Sequence, residues 1–202
     1  MSRAPVRVTL PAGSPLVRIV RLAHGPPGAL YFGPDAGKPP AGRFDAPNGA
    51  FRVCYLALTM DGAFAESVLR LAPAPMAKGG LRAISVGSIE ARGWAWTQTT
   101  RDLDLVDLST GHGLGALNVT ASLTAGDSHA PSRQVSATIH AVSPPADGIR
   151  YRPRHAPDAL AVALFDRAAG ALAPVTTIEP LFVDGRRLAA LMRDYQLSLL
   201  AI

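Results

Sequence analysis

The chain has 202 residues, 20 Lys and Arg against 15 Asp and Glu, a formal net charge of +5, and 48% hydrophobic residues. That length supports one sizeable core, so a single domain over residues 1–202 is expected rather than two. A lone cysteine, Cys54, excludes an intrachain disulfide and any multi-cysteine metal site, and it reads as a small buried thiol.

The N-terminal "MSRAPVRVTLPAGSP" lacks the apolar core of a signal peptide, and no later run approaches a membrane span. A soluble, cytoplasmic protein with no membrane contact is therefore the expectation. The surplus of positive charge raises nucleic acid as a partner, but the basic residues are scattered and, apart from Lys38 and Lys78, all arginine. No basic run interleaved with aromatics marks a nucleic-acid groove. Arginine suits forked recognition of phosphate and carboxylate, so a phosphate-bearing small molecule accounts for the bias at least as well.

In chain order, "LVRIVRL" reads as a short strand carrying Arg18 and Arg21. Residues 23–50 are rich in Gly and Pro and read as a long ordered loop holding Tyr31, Phe32 and Phe44, a length that in compact domains usually serves function. "RVCYLAL" is a buried strand, and "MDGAFAESVLRL" a helix with Asp61 as candidate N-cap. "APAPMAKGG" breaks it. "LRAISVGS" and "RDLDLVDLS" are the next strands, and "IEARGWAWTQTT" between them has no clear assignment. "GHGLGAL" and "PSRQVSATIHAV" read as helices, "DGIRYRPRH" as a turn feeding a strand or loop, and "ALAVALFD" as a strand. "GRRLAALMRDY" and "QLSLLAI" close the chain as a helix and a strand. Strands and helices mix without regular alternation, which predicts a single compact α+β domain with a mixed sheet.

The spacing of Glu66 and Arg70 fits a solvated helix ion pair, and Tyr55 within an apolar strand fits the core. "GHGLG" lacks the Lys-Ser/Thr ending of a phosphate loop. His112, His129, His140 and His155 show no metal-ligand spacing, so no metal is expected. No GxSxG elbow marks a serine hydrolase.

Taken together, "LVRI" with Arg18, "FGP…GRFDAPNGAFRVCYLAL", "AFAESVLR" with Glu66, "GHGL", "DGIRY" and "ALFD", in that order from Leu16 to Asp166, resemble the RES family of toxin-type domains. The resemblance implies an ADP-ribosyltransferase-like fold. It also implies NAD as a substrate rather than a resident cofactor, cleaved between nicotinamide and ribose with inorganic phosphate or water as acceptor. A helix-turn-helix antitoxin is the implied partner, a homodimer is among the assemblies it allows, and ADP-ribosyl transfer onto protein is a less common activity.

By the same resemblance, Glu66 is the carboxylate beside the ribose, where positive charge develops. Arg43 and Arg18 clamp phosphate groups, Tyr55 offers a ring or hydroxyl to the substrate, and Tyr31 lines the entrance. The family usually has a serine two residues beyond the tyrosine of "DGIRY", but this chain has Pro153, which carries no hydroxyl and no backbone donor. Arg152, Arg154, Ser132 and Ser122 are the candidates to compensate. Alternation along an extended chain would put Arg150, Arg152 and Arg154 on one face. A non-catalytic RES-like module that binds a nucleotide or a protein is the alternative reading.

Overall fold

The period-two alternation of side chains along the strands decides which residues of this chain meet. In the computed structural model, which describes residues 4–72 and 82–200, β1 (Arg7–Leu10) and β2 (Pro15–Arg21) precede the long loop. They are followed by β3 (Val53–Ala57), a helix α1 (Met60–Phe64) that runs on into a π-helical turn (Ala65–Leu69), β4 (Arg82–Ser85), α2 (Val86–Glu90), β5 (Arg92–Gln98) and β6 (Leu103–Asp107). Then come α3 (Gly111–Ala116), α4 (Ser122–Ala125), α5 (Ala130–His140), β7 (Gly148–Tyr151), β8 (Ala161–Phe165), β9 (Ile178–Pro180), α6 (Gly185–Asp194) and β10 (Leu197–Leu200).

Eight strands form one mixed sheet in the order β1-β6-β7-β8-β3-β2-β5-β9. Only β6 and β7 pair in parallel there; the other neighbours are antiparallel. A separate parallel pair joins β10 to β4. The architecture is thus the expected α+β one with a mixed sheet.

The two faces of the large sheet bury different sets of residues. Val17, Ile19, Val53, Ala57, Ile149, Ala163 and Phe165 turn to one side, where Phe64 and Val68 of the α1 segment and Ile139 of α5 cover them. Leu16, Cys54, Leu56, Leu105, Val162 and Leu164 turn to the other, under Leu30 and Phe32 of the long loop. β3 lies near the middle of the sheet order, so its alternate residues serve both cores. Cys54 is fully buried on the second face.

Several expectations need correction. The cap of α1 is Thr59, whose side chain accepts from the Gly62 amide, and not Asp61, which lies in the first turn. "LRAISVGS" is a strand only as far as Ser85, where the Ser85 hydroxyl caps α2 by accepting from the Ser88 amide. The unassigned "IEARGWAWTQTT" contains β5, which pairs along its whole length with β2. The short edge strands β1 and β9 were not expected at all. The break at "APAPMAKGG" lies, after Ala72, outside the described residues. No described helix is long and apolar enough to cross a membrane.

The end of β6 is fixed by Asp107, 3% exposed. Its carboxylate accepts from the Ser109 amide and hydroxyl, from the Thr110 hydroxyl, and from Arg150 on β7. Thr110 in turn caps α3, and a Cβ at Gly113 would fall 1.8 Å from the Asp107 carbonyl oxygen, so the helix start can approach the strand end only with glycine there. This network sets the register of β7, the strand that ends at Tyr151.

Burial alone would raise the Asp107 pKa, but the hydrogen bonds from Arg150, Ser109 and Thr110 outweigh it and bring the group from 3.8 down to about 2. A carboxylate whose folded pKa is depressed adds stability above its unfolded pKa and loses it as pH falls through the folded one. A shift of this size corresponds to about 2 kcal/mol. Thermal unfolding followed between pH 6 and 2 should therefore show a stability loss concentrated below about pH 4, and Asp107→Asn should flatten that part of the curve while lowering stability at neutral pH.

Candidate active site

Tyr55 is on the face of β3 opposite Cys54, and its hydroxyl is a latch for the loop before it. It donates to Asp45 Oδ1 at 2.8 Å and accepts from the Phe44 amide at 2.8 Å. Asp45, 3% exposed, takes the Ala41 and Gly42 amides on its other oxygen at 2.9 and 2.6 Å. A Cβ on Gly42 would lie 2.3 Å from the Tyr55 hydroxyl, so only glycine lets the loop lie this close. From α5, Ser136 donates to the Phe44 carbonyl, and Arg133 to the Gly42 and Pro40 carbonyls. The loop is thus tied to both the sheet and the helix.

Arg43 projects from this fixed turn. Its two terminal nitrogens donate to the Leu123 and Gly126 carbonyls at 3.1 and 3.0 Å, which orients the guanidinium without neutralising it. Burial holds its pKa below the ordinary arginine value, against the raising influence of nearby Glu66.

Glu66 comes from the π-helical turn. Its Oε2 accepts from the Tyr151 hydroxyl at 2.8 Å, a bond between the helix and the last residue of β7. Burial raises the Glu66 pKa above the usual carboxylate range, with the Tyr151 hydrogen bond and the charges of Arg70 and Arg43 opposing it. Burial and the Glu66 carboxylate together push the Tyr151 phenol well above its ordinary value, so Tyr151 is a stable donor.

These groups surround one cavity of about 240 Å³. Glu66, Tyr55 and Tyr151 line it together with Arg43, Arg70 and Arg154, and His129 and His155 complete the wall. Burial lowers the pKa of both histidines, and Arg43 adds to the effect on each. The cavity therefore brings one recessed carboxylate and three arginines together beside two imidazoles biased toward the neutral form. Such a constellation suits an anionic ligand with a centre at which positive charge forms.

Glu66, Arg43, Tyr55 and Arg154 meet at this cavity, Tyr31 and Arg152 do not, and Arg18 borders it from β2 without turning its charged end to it. Strand alternation sends its guanidinium to the other face of the sheet, where it donates to Cys54 Sγ and the Tyr31 carbonyl, both at 3.3 Å. A clamp made by Arg18 and Arg43 together is therefore not formed. Tyr31, 46% exposed, sits with Arg18 on that reverse side rather than at the cavity entrance.

Arg152 is spent on the Ser109 and Pro157 carbonyls. Arg150 pairs with Asp107, while Arg154 reaches Asp127 at 2.5 Å and borders the cavity. The expected alignment of these three arginines is broken because β7 ends at Tyr151 and the chain turns. Ser132 donates to the Leu123 carbonyl, and Ser122 bonds Thr120, so neither replaces a hydroxyl at Pro153. The Tyr55 hydroxyl is committed to the loop, which leaves its ring to the cavity. Arg70, expected to hold a solvated pair with Glu66, instead borders the cavity and acts on the carboxylate at longer range.

Sequence reasoning missed Tyr151, His129, His155 and Ser67 as cavity residues. For Tyr151 a signal was present, since "DGIRY" ends on an aromatic with a hydroxyl at a strand terminus. The two histidines and Ser67 reach the cavity only through the packing of α5, the 154–155 turn and the π-helical turn.

No curated protein matches the chain by sequence. Among solved structures, a chain of the M. tuberculosis MbcT-MbcA toxin-antitoxin complex has a similar fold, with a TM-score of 0.60 over 90% of this chain and 92% of that one, at 18% identity. The RES domain model matches residues 15–184, a span that contains β2 to β9, Arg43, Glu66 and Tyr151, and the chain therefore belongs to the RES domain family.

Proposed function

We propose that this RES domain consumes NAD, breaking the bond between nicotinamide and ribose and passing the ADP-ribosyl group to phosphate or water. The observation that carries the reading is the Glu66 carboxylate, held by Tyr151 at 2.8 Å inside a cavity bordered by Arg43, Arg70 and Arg154. As the bond breaks, its electron pair leaves with nicotinamide and the ribosyl carbon gains oxocarbenium character. A pre-positioned carboxylate in a site of low dielectric stabilises that charge more than water does.

Arg43 has five N–H donors and gives two to backbone carbonyls, so three remain for an oxyanion. The cavity, about 240 Å³, falls below the usual range for drug-sized ligands. It takes the nicotinamide ribosyl end, and the pyrophosphate then lies toward the arginines at the mouth. The ring of Tyr55 supplies an apolar wall. The fold shared with a chain of a toxin-antitoxin complex supports a toxin that an antitoxin, of helix-turn-helix type by family resemblance, holds in check.

Pro153 favours a second reading, a RES domain that binds a nucleotide or a partner without turnover. It is buried beside the cavity-lining Arg154 and offers no hydroxyl. Calorimetry with NAD, run alongside an assay of released nicotinamide, separates the two: binding without nicotinamide release favours the second.

For the first reading, Glu66→Gln keeps the shape and the contact with Tyr151 but removes the charge. Nicotinamide release should fall by at least about a hundredfold with little change in melting temperature. Parent-level turnover in this variant would make Glu66 a structural residue. In the parent, turnover should fall with acid through a pKa above that of an ordinary glutamate, because burial raises Glu66 and only the ionised form stabilises the ribosyl cation.

Arg43→Lys retains the charge but loses the fork, so it should raise KM for NAD by about tenfold or more. Arg52→Lys, at an exposed site paired loosely with Asp166 at 3.7 Å, should not. Equal effects of the two substitutions would remove the clamp from the mechanism.

A further inference from the structure

The helix that delivers Glu66 is not regular where it meets the cavity. Met60–Phe64 is α-helical, but Ala65–Leu69 forms a π-helical turn, a wider turn that places successive side chains closer together around the axis. Such turns are uncommon and are frequently found at functional sites. Its effect here is specific: Ala65, Glu66 and Ser67, three consecutive residues, all line the cavity, while Val68 and Leu69 are buried in the core behind them.

Three of the described residues that line the cavity carry a side-chain hydroxyl: Tyr55, Tyr151 and Ser67. Tyr55 is committed to Asp45 and the Phe44 amide, and Tyr151 to Glu66. Ser67 is different. Its Oγ reaches only the Ile19 carbonyl, at 3.3 Å, well beyond the usual length of a hydroxyl hydrogen bond. Glu66 Oε1 likewise has no hydrogen-bond partner among the described residues and is not sealed from the cavity, because no fully buried side-chain oxygen there lacks a partner.

From this geometry we infer that Ser67 Oγ and Glu66 Oε1 together bind a vicinal hydroxyl of the ribosyl group in the cavity. The carboxylate oxygen accepts from the sugar hydroxyl, and the serine hydroxyl leaves its long bond to Ile19 to complete the contact. The π-helical turn is what puts an acceptor and a donor-acceptor from adjacent residues on the same ligand. Ser67 is thus a substrate-binding residue for a ribosyl-containing ligand, an inference that rests on the NAD-consuming reading.

The test compares the parent, Ser67→Ala and Glu66→Gln on NAD and on analogues lacking the 2′- or 3′-hydroxyl of the nicotinamide ribose. Ser67→Ala should lower kcat/KM for NAD by about tenfold, the loss of one hydrogen bond to substrate, with an unchanged melting temperature because the bond to Ile19 is weak. For one of the two deoxy analogues that penalty should vanish, a selectivity that a merely structural role does not produce. A penalty equal on all three substrates, or none on NAD while Glu66→Gln is inactive, overturns the role of Ser67 and leaves the NAD reading standing. Full turnover in Glu66→Gln overturns the role of Glu66, and with it the shared contact to the sugar, while NAD consumption stands. If the parent releases no nicotinamide, the same comparison is read as affinity by calorimetry, and absence of NAD binding by the parent overturns both.

Discussion

The hydrogen bond from Tyr151 to Glu66 is the contact on which the site depends, because it is the polar tie between the end of β7 and the helical segment that carries the carboxylate. Tyr151 is the last residue of β7, and its height in the sheet is set from below by Asp107 and Arg150. Glu66 sits on a helix that packs across the same sheet through Phe64, Val68 and Leu69. A recessed carboxylate without a donor is costly in such surroundings. With the phenol in place, one oxygen is satisfied and the other is left for a ligand. Phe44, edge-on to Tyr151 with ring centroids 4.9 Å apart, backs the phenol from the loop side.

A second constraint acts through the loop. Asp45 gathers two amides and the Tyr55 hydroxyl, and Tyr55 takes a third amide, so the turn that carries Arg43 is held by four hydrogen bonds within a few residues. Long Gly- and Pro-rich segments are ordinarily the mobile part of a domain. Here these hydrogen bonds tie the turn around Arg43 to the sheet, so ordering of the guanidinium is offset in folding rather than on ligand binding. This explains how an arginine on a loop can serve as a positioned fork.

Much of the frame was legible in the sequence because burial patterns follow strand and helix periods: "LVRIVRL", "RVCYLAL", "ALAVALFD" and "GRRLAALMRDY" each form the element their patterns predict. β1 and β9 were not legible, since edge strands of three or four residues carry too little pattern. The site divided along the same line. Arg43, Glu66 and Tyr55 were accessible through the order of motifs, but which face of β2 Arg18 occupies depends on register, a one-residue matter that apolar runs do not encode. Arg18 and Val17 differ by one position and so by the thickness of the sheet. Tyr31 went astray with Arg18 because the loop crosses the reverse face before returning.

The charges of the cavity oppose folding as it stands. Burial lowers the Arg43 pKa and raises that of Glu66, so each is less comfortable in its charged form than in water, and their mutual attraction restores only part of the loss. Protein stability alone would favour apolar residues at both positions. Arg43 is nevertheless held by carbonyls that orient it without cancelling its charge, and Glu66 keeps one oxygen open beside the Ser67 hydroxyl. Groups kept charged, oriented and incompletely paired are the mark of a site built for a ligand, and on the proposed function an anion would meet the arginines and a sugar hydroxyl the carboxylate. A phosphorylated riboside, the class to which the proposed substrate belongs, would carry both features in one molecule.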